Sequence, residues 1–417
     1  MNMKKKGGGR IAELDGLRVL MIFIVSWYHL WQQSWLAPEI RIDALNIHWS
    51  LDWLVRSGYV WVDGTVLLSA FLLYLPLARG KLRGDPLPET GEFYYRKARR
   101  ILPGYLCFLL LAFFAMALPW GLYWSAPYMV KDLALHLSFT YNLSYDTYVS
   151  TPLGAAPWTL AVIVQGYAVF PLLARGMRKH PAAVLVSMGV LCAGFRAWCL
   201  WALTDYTMVV NQLINFLDVY VLGFLGAMLQ ASLEQREQEW KAGEAEYPNR
   251  SFWFRVLRTH AATLGFFGFL AGLVWLLHIQ AASQDYAAIQ RNQMLLRPAY
   301  AVCFLGMALS APRAVKALRV LLGNPVMKFL AALSMNYYLV HQTLMVHMKY
   351  RLRFPGYVSE NPAMAGEQPW QSLYTLLVFA LSVALAAAIT WGVEKPVGKL
   401  MDRIREKKKK EEIHPVL

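Results

Sequence analysis

Residues 58–78 read GYVWVDGTVLLSAFLLYLPLA, a stretch whose one charged residue is Asp63. At about 1.5 Å of rise per residue, such a run is long enough to cross the roughly 30 Å hydrocarbon core of a bilayer. A helix pairs its own N–H and C=O groups, so it is the form such a run takes in lipid. Working outward, comparable runs lie near 17–36, 101–120, 155–174, 182–203, 211–230, 260–279, 297–311, 329–348 and 372–393. The fold class is therefore all-α: a polytopic membrane protein with about ten transmembrane helices. The run at 297–311 is short and starts at Arg297-Pro298, where a helix boundary is expected. Residues 128–145 (YMVKDLALHLSFTYNLSY) are too polar for a span and have a helical rhythm, as an interfacial or re-entrant helix would.

The composition agrees. The 417 residues are 57% hydrophobic and 16% charged, whereas soluble domains carry about a quarter charged residues. Mean hydropathy is +0.34. A net charge of +15 in a soluble protein would suggest nucleic acid. In so apolar a chain it points to lipid and to membrane orientation, and no nucleic-acid partner is expected. With an even number of spans both termini share a side. Placing them in the cytoplasm assigns segments 1–18, 79–100, 175–179, 231–258, 312–328 and 394–417 to that side. These hold all 41 Lys and Arg except Arg41, Arg56, Lys131, Arg196, Arg291, Arg297, Lys349, Arg351 and Arg353, the asymmetry of the positive-inside rule.

Three regions follow: a flexible basic arm at 1–10, a membrane domain at 11–400 and a basic cytoplasmic tail at 401–417. The expected location is the cell membrane, crossed many times, with the bilayer as partner. The bulky Trp27-Tyr28-His29-Leu30-Trp31 run stands where a signal-peptide cleavage site would need small residues, so the first helix is expected to be retained. Gly7-Gly8-Gly9 lacks the GK[ST] of a phosphate loop and reads as linker. Cys107, Cys192, Cys199 and Cys303 all fall in spans without a CxxC spacing and read as small packing residues.

Ionisable residues inside spans are costly in lipid and mark candidate functional positions. Arg18 and His29 are eleven residues apart, about 16.5 Å of helical rise and about three turns, so they share a stripe. One reading is a cationic inner mouth with a titratable imidazole deeper in. The other is an orientation anchor at Arg18 with His29 in the outer aromatic belt. Tyr94-Tyr95-Arg96-Lys97-Ala98-Arg99-Arg100-Ile101-Leu102-Pro103 leads into the third span. Its arginines suit bidentate phosphate contacts, an anionic-lipid contact or simple orientation. Further intramembrane polar residues are Asp63, Arg196, Asp218 and His341. His341 and His347 are six apart, a poor helical spacing for shared ligation, and no metal site is expected. No GxSxG elbow is present, and Ser69 has no base near it in sequence.

These residues, taken in order, resemble a known family, the integral-membrane acyltransferases of acyltransferase family 3, over about residues 11–400. Leu14-Asp15-Gly16-Leu17-Arg18 through His29 is similar to its LDGLR start and Arg-x10-His motif. Asp63 with Leu68-Ser69-Ala70-Phe71-Leu72 resembles its VDxFFxLSGFL stretch. Arg96 to Pro103 resembles its RRxxRILP segment, and Trp158-Thr159-Leu160-Ala161-Val162 with Gln165, Tyr167 and Pro171 its WSLSVExQFYxxxP helix. Leu333-Ser334 through Tyr338-Leu339-Val340-His341 is similar to its SYSLYLxH segment, and Val393-Glu394-Lys395-Pro396 to its terminal ExP.

The resemblance implies an enzyme that moves an acyl group, mostly acetyl, from cytoplasmic acyl-CoA to a hydroxyl of an extracytoplasmic glycan or other envelope molecule. Acyl-CoA would be a donor substrate, and no permanently bound cofactor is implied. His29 would be the catalytic base, and Arg18, Arg96, Arg99 and Arg100 would hold the nucleotide end of CoA. Asp15, Asp63, Ser69, Trp158, Gln165, Tyr167, His341 and Glu394 would be supporting motif residues. The chain departs from the pattern at four places. Ile163 replaces the usual Glu, and Gly166, expected to leave a void in mid-helix, replaces Phe. Ala70 stands for the SGF glycine, and Gly64-Thr65 for the aromatic pair after Asp63. Two other readings use the same residues: a transporter of an anionic or glycan-linked molecule, and a catalytically silent relative that binds acyl-CoA or lipid, for which Ile163 is the motive.

Overall fold

The computed structural model describes residues 9–36, 38–154, 156–243, 248–351 and 369–413. Arm residues 1–8, Arg353, tail residues 414–417 and the side chains of Lys409 and Lys410 lie outside the described residues. The helices run in order as α1 Ala12–Ser34, α2 Trp61–Leu82, α3 Thr90–Leu111, α4 Ala126–Leu137 and α5 Trp158–Lys179. Then come α6 Pro181–Ala202, α7 Leu217–Gly243, α8 Pro248–Ala281 and α9 Tyr286–Ser310. The last are α10 Lys316–Gly323, α11 Pro325–Tyr350, α12 Pro369–Ile389 and α13 Lys395–Ile413. A small hairpin, β1 Glu39–Ile42 and β2 Ile47–Ser50, follows α1, with Ile40 opposite Trp49.

Among the described residues, nine helices are long and apolar enough to cross a membrane. The number is ten when α10 and α11, which meet at a 42° bend, count as one span. The ends of several helices are set locally. The Asp285 side chain accepts from the Ala288 N–H at the start of α9, and Ser125 caps α4 in the same way. Pro181 opens α6, where its missing N–H costs no hydrogen bond.

The eighth span differs from expectation. It begins at Tyr286, eleven residues before the predicted start, and passes through Pro298 without ending. Arg297 has no exposure at all, so its charge lies within the fold. Residues 128–145 are helical and contain no candidate span, as expected: α4 is followed by short helical turns at Tyr141–Leu143 and Tyr145–Tyr148.

The chain divides into two compact units. The first comprises Met1–Tyr28, Ala37–Leu87 and Thr159–Ala331; the second comprises His29–Leu36, Pro88–Trp158 and Ala332–Leu417.

In the first unit, three of the four departures pack against residues on neighbouring helices. A Cβ on Gly223 of α7 would come within 2.7 Å of the Ala70 Cβ, so the α2–α7 contact at Ala70 needs a residue without a side chain opposite. A Cβ on Gly64 would meet the Phe304 ring at 2.9 Å, so α9 supplies an aromatic beside Asp63. Gly166 leaves no void, contrary to expectation. Tyr220 of α7 fills the place, its hydroxyl 2.1 Å from where a Cβ would stand. Gly166→Ala is therefore expected to destabilise the protein by about 1–3 kcal/mol through overpacking. Tyr220→Phe, which removes the nearest atom, should recover part of that loss, as read by thermal unfolding of the detergent-solubilised protein.

Buried charge also organises this unit. Arg297 Nε donates to Asp63 Oδ1 at 3.1 Å, with both side chains fully buried. Arg196 holds Asp218 through two nitrogens, at 2.6 and 2.9 Å.

Candidate functional site

The second unit brings together the end of α1, the middle of α11 and the segment that precedes α5. His29 and His341 lie with ring centroids 5.4 Å apart. His341 is fully buried, and His29 is half-buried. The His341 Nδ1 faces the Tyr338 carbonyl at 2.8 Å. A carbonyl only accepts, so Nδ1 carries the hydrogen and Nε2 keeps its lone pair. That Nε2 is buried and has no hydrogen-bond partner among the described residues.

His29 is held by two glutamines. Gln342 Oε1 accepts the Ala156 N–H at 2.6 Å, which fixes the amide and turns its Nε2 toward His29 Nδ1, 3.2 Å away. Gln32 Oε1 stands 3.0 Å from the same nitrogen. One imidazole nitrogen thus faces both a donor and an acceptor, and a partner is at hand whether or not that nitrogen carries a proton. Tyr338 closes the clamp, its hydroxyl donating to the Ala156 carbonyl.

The segment gripped by α11 is anchored on its other side by α4. Thr151 Oγ1 and Tyr123 Oη each donate to Asp132 Oδ2 at 2.9 Å. His136, one helical turn on, lies 3.1 Å from Asp132 Oδ1 and stacks on Tyr141 with centroids 4.1 Å apart. Tyr141 Oη in turn donates to the Pro157 carbonyl at 2.6 Å. Burial first, and then the Asp132 charge, push the Tyr123 phenol above its usual pKa. The semi-polar character of 128–145 comes from this buried cluster.

A cavity of about 340 Å³ opens elsewhere in the unit, lined by Arg96, Arg99, Arg100, Glu394, Lys395, Gly398 and Lys399. A π-helical turn at Thr390–Glu394 joins α12 to α13 and carries Glu394, an insertion frequent at functional sites. Asn336 Nδ2 donates to Glu394 Oε2 at 2.6 Å and to Thr390 Oγ1 at 2.8 Å. On α3, Gly104 admits the Asn336 carbonyl oxygen, which would stand 2.3 Å from a Cβ there. Asn336 precedes His341 by five residues on α11, about 7.5 Å of rise. The cavity and the histidine pair are therefore tied to one helix.

Of the residues singled out from sequence, His29 meets His341, and Arg96, Arg99 and Arg100 line one cavity with Glu394. Trp158 opens α5 directly after the anchored Pro157. The others have different surroundings. Asp15 accepts from Arg10 at 2.7 Å, and Asp63 pairs with Arg297. Ser69 Oγ donates to the Thr65 carbonyl at 2.8 Å inside α2, a common satisfaction of a hydroxyl within a helix. Arg18 on α1, and Gln165 and Tyr167 on α5, belong to the first unit. Sequence reasoning missed Gln32, Gln342, Asp132 and His136. The i,i+4 spacing of Asp132 and His136 was a readable signal, whereas nothing local distinguishes the two glutamines.

A family model described as an acyltransferase domain matches residues 11–391. The chain belongs to that family, acyltransferase family 3, and is a multi-pass membrane protein of acyltransferase type. Comparison with curated proteins and with solved structures yields no match.

Proposed function

We propose that the protein transfers an acyl group, in the first instance acetyl, from cytoplasmic acyl-CoA to a hydroxyl of an extracytoplasmic glycan or similar envelope molecule. The observation that carries this reading is the arrangement along α11. A cavity rich in cations is linked through Glu394 and Asn336 to a helix that carries His341, which meets His29 of α1, about a turn and a half farther on. Arg96, Arg99 and Arg100 suit the phosphates of CoA, because guanidinium groups bind phosphate in a bidentate manner. With both termini cytoplasmic, helical rise puts His29 about 25 Å from the start of α1 and His341 about 24 Å from the start of α11. Two independent helices thus give the same depth, most of the way across a core of about 30 Å.

In the reaction, the acceptor hydroxyl gives its proton to His29 as its oxygen attacks the thioester carbonyl carbon. The carbon–sulfur bond breaks, the proton passes from His29 to the departing thiolate, and an ester and free CoA thiol result. Gln32 and Gln342 hold the ring through both protonation states. Donor and acceptor approaching the imidazole from opposite sides would need no translocation of either.

The test is transfer in sealed proteoliposomes, with labelled acetyl-CoA on the side of the termini and envelope glycan on the other. Label on the glycan is the expected result. Glycan that crosses without CoA, and without label, would replace this reading with transport.

A further inference from the structure

The cationic cavity has two walls, and one lies past the family-matched span, which ends at residue 391. Arg96 and Arg100 are one turn apart on α3, and Lys395 and Lys399 are one turn apart on α13. Residues at that spacing share a helix face. Both pairs line the same cavity, where the one acidic lining residue is Glu394.

The carboxylates nearby are engaged in joining the two helices. Asp402 takes Arg99 at 2.7 Å and the Tyr95 hydroxyl at 3.0 Å. Glu92 takes Arg405 at 2.6 Å, with the Arg405 guanidinium 4.0 Å above the Tyr95 ring. Arg99 Nε also donates to the Gly398 carbonyl at 3.1 Å. These contacts fix α13 against α3 and leave the cavity with an excess of positive charge. Like charges gathered in a concavity repel unless an anion joins them, and a concave site lined by one sign of charge draws ligands of the other.

We propose that Lys395 and Lys399 close a two-sided clamp with Arg96 and Arg100 around the phosphates of the acyl donor, so that the C-terminal helix is a working part of the donor site. This rests on the acyl-CoA reading above. The chemistry recognised is a cluster of phosphate groups, which CoA carries at its diphosphate and ribose phosphate and which an anionic lipid headgroup carries singly.

The experiment uses the full chain in nanodiscs of zwitterionic lipid, with CoA, inorganic pyrophosphate and pantetheine as probes. The variants are Lys395→Gln with Lys399→Gln, the matching Lys→Arg pair, Arg100→Gln on the α3 wall, and Lys408→Gln farther along α13 as control. The Gln pair is expected to raise the Kd for CoA about tenfold or more and to weaken pyrophosphate in parallel. The Arg pair and the control should stay within about twofold of wild type, and pantetheine binding should not change. Wild-type affinity for CoA retained in the Gln pair, with binding lost in Arg100→Gln, would overturn the role of α13 while leaving the donor reading in place. Absence of CoA binding in the wild type would overturn both. In a parallel arm, nanodiscs of anionic lipid that abolish CoA binding to wild type, with no such effect on the Gln pair, would assign the lysines to a lipid headgroup instead.

Discussion

His29→Ala is expected to lower the rate of acyl transfer by about 10²–10⁴-fold, the usual contribution of a positioned general base. KM for acyl-CoA should change little, because the cations proposed to hold the donor line a separate cavity. An interaction lost mainly in the transition state lowers kcat and kcat/KM together. Gln342→Leu should produce a smaller fall of the same kind, about tenfold. It removes the amide that faces His29 Nδ1 and leaves the Ala156 N–H without its acceptor. Gln342→Glu keeps an oxygen for Ala156 but replaces the donor with an acceptor, which favours a proton on Nδ1. A proton on Nδ1 leaves the Nε2 lone pair free to act as the base, so the rate of Gln342→Glu should stay closer to wild type than that of Gln342→Leu. Initial rates in proteoliposomes at several acyl-CoA concentrations separate kcat from KM. A His29→Ala protein within threefold of wild type would end the general-base assignment.

The span architecture was legible because lipid imposes a strong rule: long apolar runs, and positive charge between alternate pairs of them. Helix boundaries were less so. Arg297-Pro298 has the local signature of a helix start, but tertiary packing buries Arg297 against Asp63 and carries the helix through. Half of the candidate site was legible for a different reason. His29 and the arginines lie in ordered motifs, where a charge in an apolar setting stands out. Gln342 does not stand out, since an amide gains its role only from what it meets, here a backbone N–H more than 180 residues away in sequence. Lys395 and Lys399 were hidden in a basic segment whose evident role is orientation. The departures from the family pattern were visible, but the residues that pack against three of them were not. Gly223, Phe304 and Tyr220 answer Ala70, Gly64 and Gly166 across helix contacts that no local window of sequence contains.

Asp63→Ala is expected to cost the protein about 3–5 kcal/mol, because it strands a buried guanidinium. Arg297 has few ways to adjust. Its Nη1 donates to the carbonyls of Val210 at 2.8 Å and Asn215 at 3.2 Å, and its Cζ lies 3.9 Å from the centre of the Phe216 ring. Those contacts hold the group in place but do not neutralise it. Arg196, the neighbouring cation, is already taken by Asp218 and Asn215. Arg297→Met strands the carboxylate instead and should be about as damaging. The combined Asp63→Leu, Arg297→Met protein removes both charges and fills the space with apolar atoms, so it should recover most of the loss. Buried pairs replaced as a unit are often neutral in stability, and two residues in contact are not additive. The comparison is made by thermal unfolding at a fixed scan rate in one detergent, with the folded fraction followed by size-exclusion chromatography. If the double variant is no more stable than Asp63→Ala alone, the pair is more than mutual neutralisation. The hydrogen bonds from Arg297 to Val210 and Asn215 would then be what holds α9 to the start of α7, and Arg297→Lys, which keeps the charge but not the planar fork, should fail in the same way.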